Sequence, residues 1–456
     1  MSIRALKTIA ASGGVEEDYF SHEIDQSYVF SGSQYFHRTP GSVGNRQTFT
    51  WSGWVKRGPF STTEQHALLS AGPSNTSLTM FYINKTYPGQ ADGALTFWTW
   101  DGSTDYGLAV NARMRDTAAW YHVVLAVDTT QATAANRIKI YINNELVSGS
   151  VHTDHGTIPE DFNTHINNTQ AHYIGRYQTN SQYFEGYLAE VHFIDGTARA
   201  PSDFGQAHET TGQWIPKEYT EGSYGTNGFY LKFASGALGT DSSGNGVNYT
   251  AVDGDDDKVV LDTPTNNFAV IDPHFPNAGT SPVLAEGNLV FYGPGSRYST
   301  ALGTMSIKTG KWYWEYYIGA ETNLQLPGIA QGSTPVLSTY PGYDTSNNLK
   351  GFSYGAGYVF GATPAGASAG ENVSGNTVAD TATGDYVGFA SDIPNGTLKI
   401  YKNGSLEYTV TGIGSTFDWM PAFCAYNANE WGVVNFGQSG KFIGAAGSGG
   451  NSDATA

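Results

Sequence analysis

Cysteine is nearly absent from this chain. Cys424 is the only one in 456 residues, so no intrachain disulfide can form and stability must come from buried apolar surface. A lone cysteine of this kind reads as a small buried side chain rather than a reactive thiol. Cations are scarce too: 23 Lys and Arg stand against 41 Asp and Glu, net −18. That balance repels phosphate backbones and anionic lipid surfaces, and so weighs against sequence-independent nucleic-acid binding. Long apolar runs are missing. The opening MSIRALKTIAASGG has early cations but no apolar run of about 7–15 residues behind them, unlike a secretory signal. No stretch approaches the ~20 apolar residues of a spanning helix. The expectation is synthesis in a cytoplasm without membrane insertion. The Asn-x-Ser/Thr triplets at Asn75, Asn167, Asn248, Asn372, Asn395 and Asn403 then read as turns. Apolar residues at helical spacing are few, and no heptad run occurs.

What is present is glycine (57 residues) and aromatic residues (14%) with only 14% charge, a composition of short strands and tight turns. A chain this long exceeds one ordinary core, and two domains is the first guess. Strands are predicted in YVFSGSQYF, TFTWSGWVKRG, LTFWTW (95–100), WYHVVLAVD (120–128), RIKIYIN (137–143), AHYIGR (171–176) and YLAEVHFID (187–195). In RIKIYIN, Ile138, Ile140 and Ile142 share one face against Arg137, Lys139 and Tyr141, the pattern of a half-buried antiparallel strand, and NNE follows as a turn. Phe49 and Trp51 alternate, but Trp54 falls out of phase, which places a bulge or bend at Gly53. Turn-rich loops between such strands favour a two-sheet sandwich over a barrel.

The run from Phe30 to about Gly205, through SGSQYF, TFTWSGWVKRG, WYHVVLAVDTTQATAANRIKIYIN and GYLAEVHFIDGTARAPSDFG, resembles the laminin-G or concanavalin A-like sandwich of virion proteins of tailed bacteriophages. The following GQWIPKEYTEGSYGTNGFYLKF, DSSGNGVNYTA and DTPTNNFAVIDP resemble the connector after such domains. Pro264 and Pro273 keep the last of these extended between turns, with Phe268, Val270 and Ile271 as anchors to a neighbouring domain. Beyond it, LVFYGPGSRYSTALGTMSIKTGKWYWEYYIG and GDYVGFASDIPNGTLKIYKNGSLEYTV are similar to the SPRY (B30.2) sandwich. Trp312, Trp314 and Tyr316 there share a core face, and Asn403-Gly404 opens a hairpin. The predicted fold is all-β: an N-terminal docking arm (1–24), a laminin-G/concanavalin A-like jelly roll (25–234), a connector (235–284), a SPRY-like sandwich (285–443) and a flexible tail (444–456). Ile3, Leu6, Ile9, Val15, Tyr19 and Phe20 cannot bury themselves in so short an arm and are expected to dock elsewhere.

The resemblance implies a structural protein on the virion surface, a tail fibre or appendage with adhesin-like binding to a host-surface glycan or protein. The same modules would suit a capsid decoration or head-fibre protein. The implied partners are other virion proteins through the arm and sister subunits in a homo-oligomer, a trimer by analogy with tail fibres. The third reading is a glycan depolymerase, which needs two carboxyl groups about 5–9.5 Å apart across the scissile bond. Glu190 and Asp195 are the pair offered along one strand, but five positions apart they face opposite ways, and Glu315 stands alone. His152 and His155 in VHTDHG lack further ligands at a recognisable spacing, and His122 and His192 read as strand histidines beside apolar neighbours. No cofactor is expected. Asp253, Asp255 and Asp257 alternate as calcium ligands could, but without the Glu that closes a twelve-residue loop. Binding is assigned to aromatic residues near turns: Tyr82, Tyr87, Trp100, Tyr106, Tyr177 and Tyr183.

Overall fold

The computed structural model describes residues 19–59, 65–85, 91–147, 149–150, 155–179, 181–274, 282–295, 298–332, 340–343, 351–362, 371–374 and 378–439. Among these, three 3-10 turns are the only helical elements, and the rest is antiparallel sheet and loop. In the first sandwich, sheet A runs Glu145–Leu146, Ile138–Ile142, Tyr121–Asp128, Thr48–Arg57, Glu185–Asp195, Ser27–Ser31, Val259–Val260, and Phe229–Leu231 also pairs with Glu185–Asp195. Sheet B runs Gly149–Ser150, Asp105–Arg113, Ala94–Trp100, Ser77–Asn84, Gln65–Ser74, His172–Ile174, Tyr35–Arg38, Thr250–Val252. In the second, sheet C runs Val283–Ala285, Val290–Tyr292, Trp431–Asn435, Lys311–Ala320, Tyr386–Asp392, Thr397–Lys402, Ser405–Thr411. Sheet D runs Ser299–Leu302, Trp419–Ala425, Gly328–Gln331, Gly351–Gly355, Tyr358–Ala362, Glu371–Asn372. Within each pair of sheets the inward side chains form one core: Phe36, Trp51, Phe81, Phe97, Leu125 and Phe193 in the first, Trp314, Tyr316, Phe389, Ile400, Trp419 and Phe423 in the second.

Two expectations about phase are corrected. Thr48–Arg57 pairs with Tyr121–Asp128 in unbroken register, so there is no bulge at Gly53. Trp54 simply faces the other way from Trp51 and is buried there with Ile24 and Ala189, beside Trp120 and Trp214. The irregularity sits in the neighbouring strand, between Ala189 and His192, where Glu190 takes a left-handed φ of 50°. Gly53 has a packing role instead, since a Cβ there would come within 2.8 Å of the Trp51 ring. Trp312, expected in the core with Trp314 and Tyr316, is 47% exposed, because it lies at the start of its strand.

The segment expected as a connector does more than connect. Thr250–Val252 and Val259–Val260 add edge strands to both sheets of the first sandwich. Val270 and Ile271 then enter the second core, where they meet Val29 and Tyr187 of sheet A. Between them Asp262 is buried at the seam. Lys56 Nζ donates to Asp262 Oδ2 (2.7 Å), Asn267 Oδ1 (2.9 Å) and the Phe268 carbonyl (3.1 Å), and Trp120 Nε1 donates to Asp262 Oδ1 (2.8 Å). Tyr187 Oη donates to the Gly287 carbonyl (3.0 Å). A side chain at Gly287, whose φ is 63°, would strike that phenol ring, so glycine is required where the sandwiches touch.

The described end of the arm packs on its own chain. Tyr19 stacks on His208 at 3.9 Å and its hydroxyl donates to Gln213 Oε1, while Ile24 fills the Trp54 cluster. Residues 1–18, with Ile3, Leu6, Ile9 and Val15, lie outside the described residues. Cys424 is buried, and burial pushes its thiol up to about 12, an unreactive group.

Candidate functional site

Because side chains alternate across a strand, the register that sends Phe36, Ile174, Phe81 and Phe97 into the first core sends Tyr35, His37, Tyr173, Tyr82 and Trp98 to the outer face of sheet B. At one end of that face the Arg176 guanidinium lies 3.8 Å from the Tyr35 ring and 4.3 Å from the Tyr173 ring. Tyr183 stands 6.2 Å from Tyr35, and His37 is 6.3 Å from Tyr173. Gly175, at φ 85°, ends the strand and turns the chain so that Arg176 reaches back over it. At the other end Trp98 and Trp100 are 6.4 Å apart, and Trp98 Nε1 donates to Asp105 Oδ1 (2.9 Å). His155 stands 3.9 Å from the Asp105 carboxylate and 6.1 Å from Trp98.

The middle of the face is closed. The chain after Arg176 crosses it, with Ser70 Oγ donating to the Arg176 carbonyl and the Ala67 amide to that of Gln182. Tyr177 packs down on Ala67, Leu78, Met80 and Tyr82. Two half-exposed aromatic patches therefore flank a covered strip. Tyr82, at 1% exposure, cannot meet a ligand, and Tyr177 is a lid over it whose hydroxyl burial pushes up to about 12. Tyr106 packs against the first core beside Phe162, on the opposite side of the sheet. Trp100 and Tyr183 are half-exposed members of the two patches, and Tyr87 lies outside the described residues. Tyr35, Tyr173, Arg176, Trp98 and Asp105 complete the patches and are not among the residues expected from proximity to turns; their signal in the sequence is the strand alternation in Tyr35-Phe36-His37 and His172-Tyr173-Ile174.

The remaining polar constellations have structural partners. Asp253, Asp255 and Asp257 do not alternate along a strand: Asp255 precedes the 3-10 turn Asp256–Lys258 that contains Asp257. Among the described residues no group of three or more His, Cys, Asp or Glu side chains gathers as a metal site would require. His152 lies outside the described residues. Asp195 accepts from the Asn45 amide (2.8 Å), Asn167 Nδ2 (2.9 Å) and the Asn227 amide (3.0 Å), tying three loops together. Glu190 faces the other way, with His22 at 3.0 Å, His192 at 3.7 Å and the Tyr230 hydroxyl donating to it. Burial pushes Glu190 upward, yet hydrogen bonds from His192 and His22 hold it down at about 2. His122, buried against Ser52 and Trp214, is pushed down to about 3 by burial and stays neutral. Glu315 is buried and accepts from the Tyr313 hydroxyl at 2.7 Å.

The His22–Glu190 pair clasps the arm to sheet A and makes that clasp pH-dependent. Its Glu190 hydrogen bond raises His22 above 6.5, against burial and Lys232, with Glu218 assisting. A raised histidine contributes stability that is complete below about 6.5 and lost as pH climbs through the higher folded value. The difference in unfolding free energy between the native chain and His22→Gln is therefore expected to be larger at pH 6 than at pH 9. A difference that grows with pH would show that the imidazole is not held as a cation.

Residues 30–202 match the laminin-G-type family model described as the concanavalin A-like lectin/glucanases superfamily. The chain is also similar to the SPRY domain of human HERC1 (16% identity, TM-score 0.29, covering 37% of this chain and 98% of that one). A human SPRY domain shares 12% identity at a TM-score of 0.26, covering 33% and 92%. A Bacteroides ovatus ATCC 8483 protein described as a "putative carbohydrate binding protein" shares 19% identity at a TM-score of 0.34; the match covers 50% of this chain and 58% of that one. No curated protein matches the chain.

Proposed function

We propose that this is a non-enzymatic binding protein that takes a glycan on the outer face of sheet B, and that it serves as an adhesin-like structural component of a tailed-phage virion, a tail fibre or related appendage. The observation that carries the binding reading is the patch at Tyr35, Tyr173, Tyr183 and Arg176, partnered across the covered strip by Trp98, Trp100 and Asp105. Half-exposed rings, held in place by the buried Arg176 guanidinium, offer apolar surface to a sugar, while the Asp105 carboxylate can accept hydrogen bonds from its hydroxyls. The match of residues 30–202 to a lectin-type family model supports the same reading. Glu190 and Asp195, the carboxylates of one strand, each serve a separate structural cluster, which favours binding over glycoside hydrolysis. The virion setting rests on the resemblance of the sequence motifs. In that setting the arm docks on other virion proteins and the chain acts as a homo-oligomer, whose several weak sites combine into tight attachment.

The test is retention of the full chain, displayed multivalently, on an array of bacterial surface polysaccharides. Tyr173→Ala is expected to weaken retention about tenfold while leaving the melting temperature within a few degrees of native. If the native protein is retained by no polysaccharide, or Tyr173→Ala is retained equally, the sheet B reading fails.

A further inference from the structure

The second sandwich carries an aromatic surface that the reading above does not use. The register that points Trp314, Tyr316, Ile318, Val387 and Phe389 into the second core points Tyr313, Glu315, Tyr317 and Tyr386 to the outer face of sheet C. The neighbouring strands add Trp431 and Tyr292 to that face. Ring centroids run in a line: Tyr292 to Trp431 at 6.3 Å, Trp431 to Tyr317 at 6.3 Å, Tyr317 to Tyr386 at 4.9 Å. Tyr292 is 37% exposed, and Tyr317, Tyr386 and Trp431 are half-buried on a base of Val290 and Val433.

The way the rings lie is the informative feature. A Cβ built on Gly319 would fall 2.3 Å from the six-membered ring of Trp431, so the indole lies directly over bare backbone. One face of that ring rests on the sheet and the other is left for a ligand. The Tyr313 hydroxyl crosses Gly388 in the same manner, 2.5 Å from where a Cβ would be, and donates to Glu315. Side chains at these glycines would lift the rings off the sheet.

We propose that the outer face of sheet C is a second binding platform, for a neutral pyranose chain, independent of the site on sheet B. The outer face of the Trp431 indole suits the apolar face of one sugar ring, and Tyr292, Tyr317 and Tyr386, tilted by 33° to 62° along the run, add apolar contact to the sugars on either side. An acidic polymer is disfavoured: Lys311 pairs with Asp392 at 3.3 Å and Lys402 with Asp385 at 3.1 Å, and a net charge of −18 repels further anions. The Lys56–Asp262 seam joins this platform to the first sandwich, so the two sites belong to one body.

The experiment is 19F NMR of the full chain labelled with 5-fluorotryptophan, titrated with chitohexaose and, separately, cellohexaose. The Trp431 resonance is assigned by Trp431→Phe, and Trp98 and Trp100 report on sheet B. Saturable movement of the Trp431 signal with at least one hexasaccharide is expected. The affinity should weaken about fivefold in Tyr292→Ala and in Tyr386→Ala, stay near native in Tyr386→Phe, and be unchanged in Tyr173→Ala. Melting curves matched to native separate lost binding from lost folding. A Trp431 signal that neither sugar moves, or that moves equally in Tyr292→Ala and Tyr386→Ala, overturns the proposal, whatever Trp98 and Trp100 do. So does a native dimer in sedimentation that Tyr292→Ala dissolves, which would assign the face to a second copy.

Discussion

Replacing Asp262 with alanine is expected to destabilise the protein by about 3–5 kcal/mol, the cost of stranding a buried charge. The Lys56 and Asp262 side chains are 0% and 1% exposed. Burial pushes the Lys56 ammonium down and the Asp262 carboxyl up, so each is charged only because the other is there. Without Asp262 the ammonium keeps the neutral acceptors Asn267 and Phe268 but loses its hydrogen-bonded carboxylate, and the Trp120 indole loses its acceptor. The loss falls where Val270 and Ile271 enter the second core, so both sandwiches should soften together in a urea melt. Asp262→Asn separates charge from shape: it retains a side-chain oxygen for Trp120 yet should remain well below native stability. The double change Lys56→Met with Asp262→Leu removes both charges and should recover much of the loss, because paired ions in a seam gain little over apolar packing. An Asp262→Ala chain that melts with the native one would place this pair in water.

The second large effect is expected at Trp314. Its side chain is 1% exposed and stacks on Phe389 with centroids 5.3 Å apart and planes at 14°. Trp314→Ala removes the indole from between the two sheets and leaves a cavity that their hydrogen-bonded strands cannot close, costing about 3–5 kcal/mol. Trp312→Ala, two residues earlier on the same face, should move stability by no more than about 0.5 kcal/mol, since that ring is 47% exposed. Thermal melts of the two variants side by side check both. Equal losses would mean that the core extends to the strand's first turn.

Much of the local structure could be read from residue order. Ile138, Ile140 and Ile142 alternate because one face of their strand is buried, and Asn143-Asn144 and Asn403-Gly404 form two-residue turns because these residues accept positive φ, here 48° and 71°, then 49° and 84°. The seam could be read as extended and bounded by turns, and Thr263 and Asn266 do close one across Pro264. The candidate site was less legible. Tyr82 and Tyr173 both lie on the outer face of sheet B, yet one is covered by a loop a hundred residues away in sequence and the other is half-exposed.

What the sequence determined by itself, then, is what depends on neighbours along the chain: strand phase, turn chemistry, the all-β class, and the lack of any disulfide. Which face of a strand is covered depends on segments that arrive from far away. Trp54 is buried by Ile24 and Trp214, Asp262 by Lys56, and Tyr82 by Tyr177, all pairings that alternation cannot specify. The bulge at Glu190 belongs to the same class. It relieves a register mismatch between two strands, so the tertiary structure chose which of them would carry the extra residue.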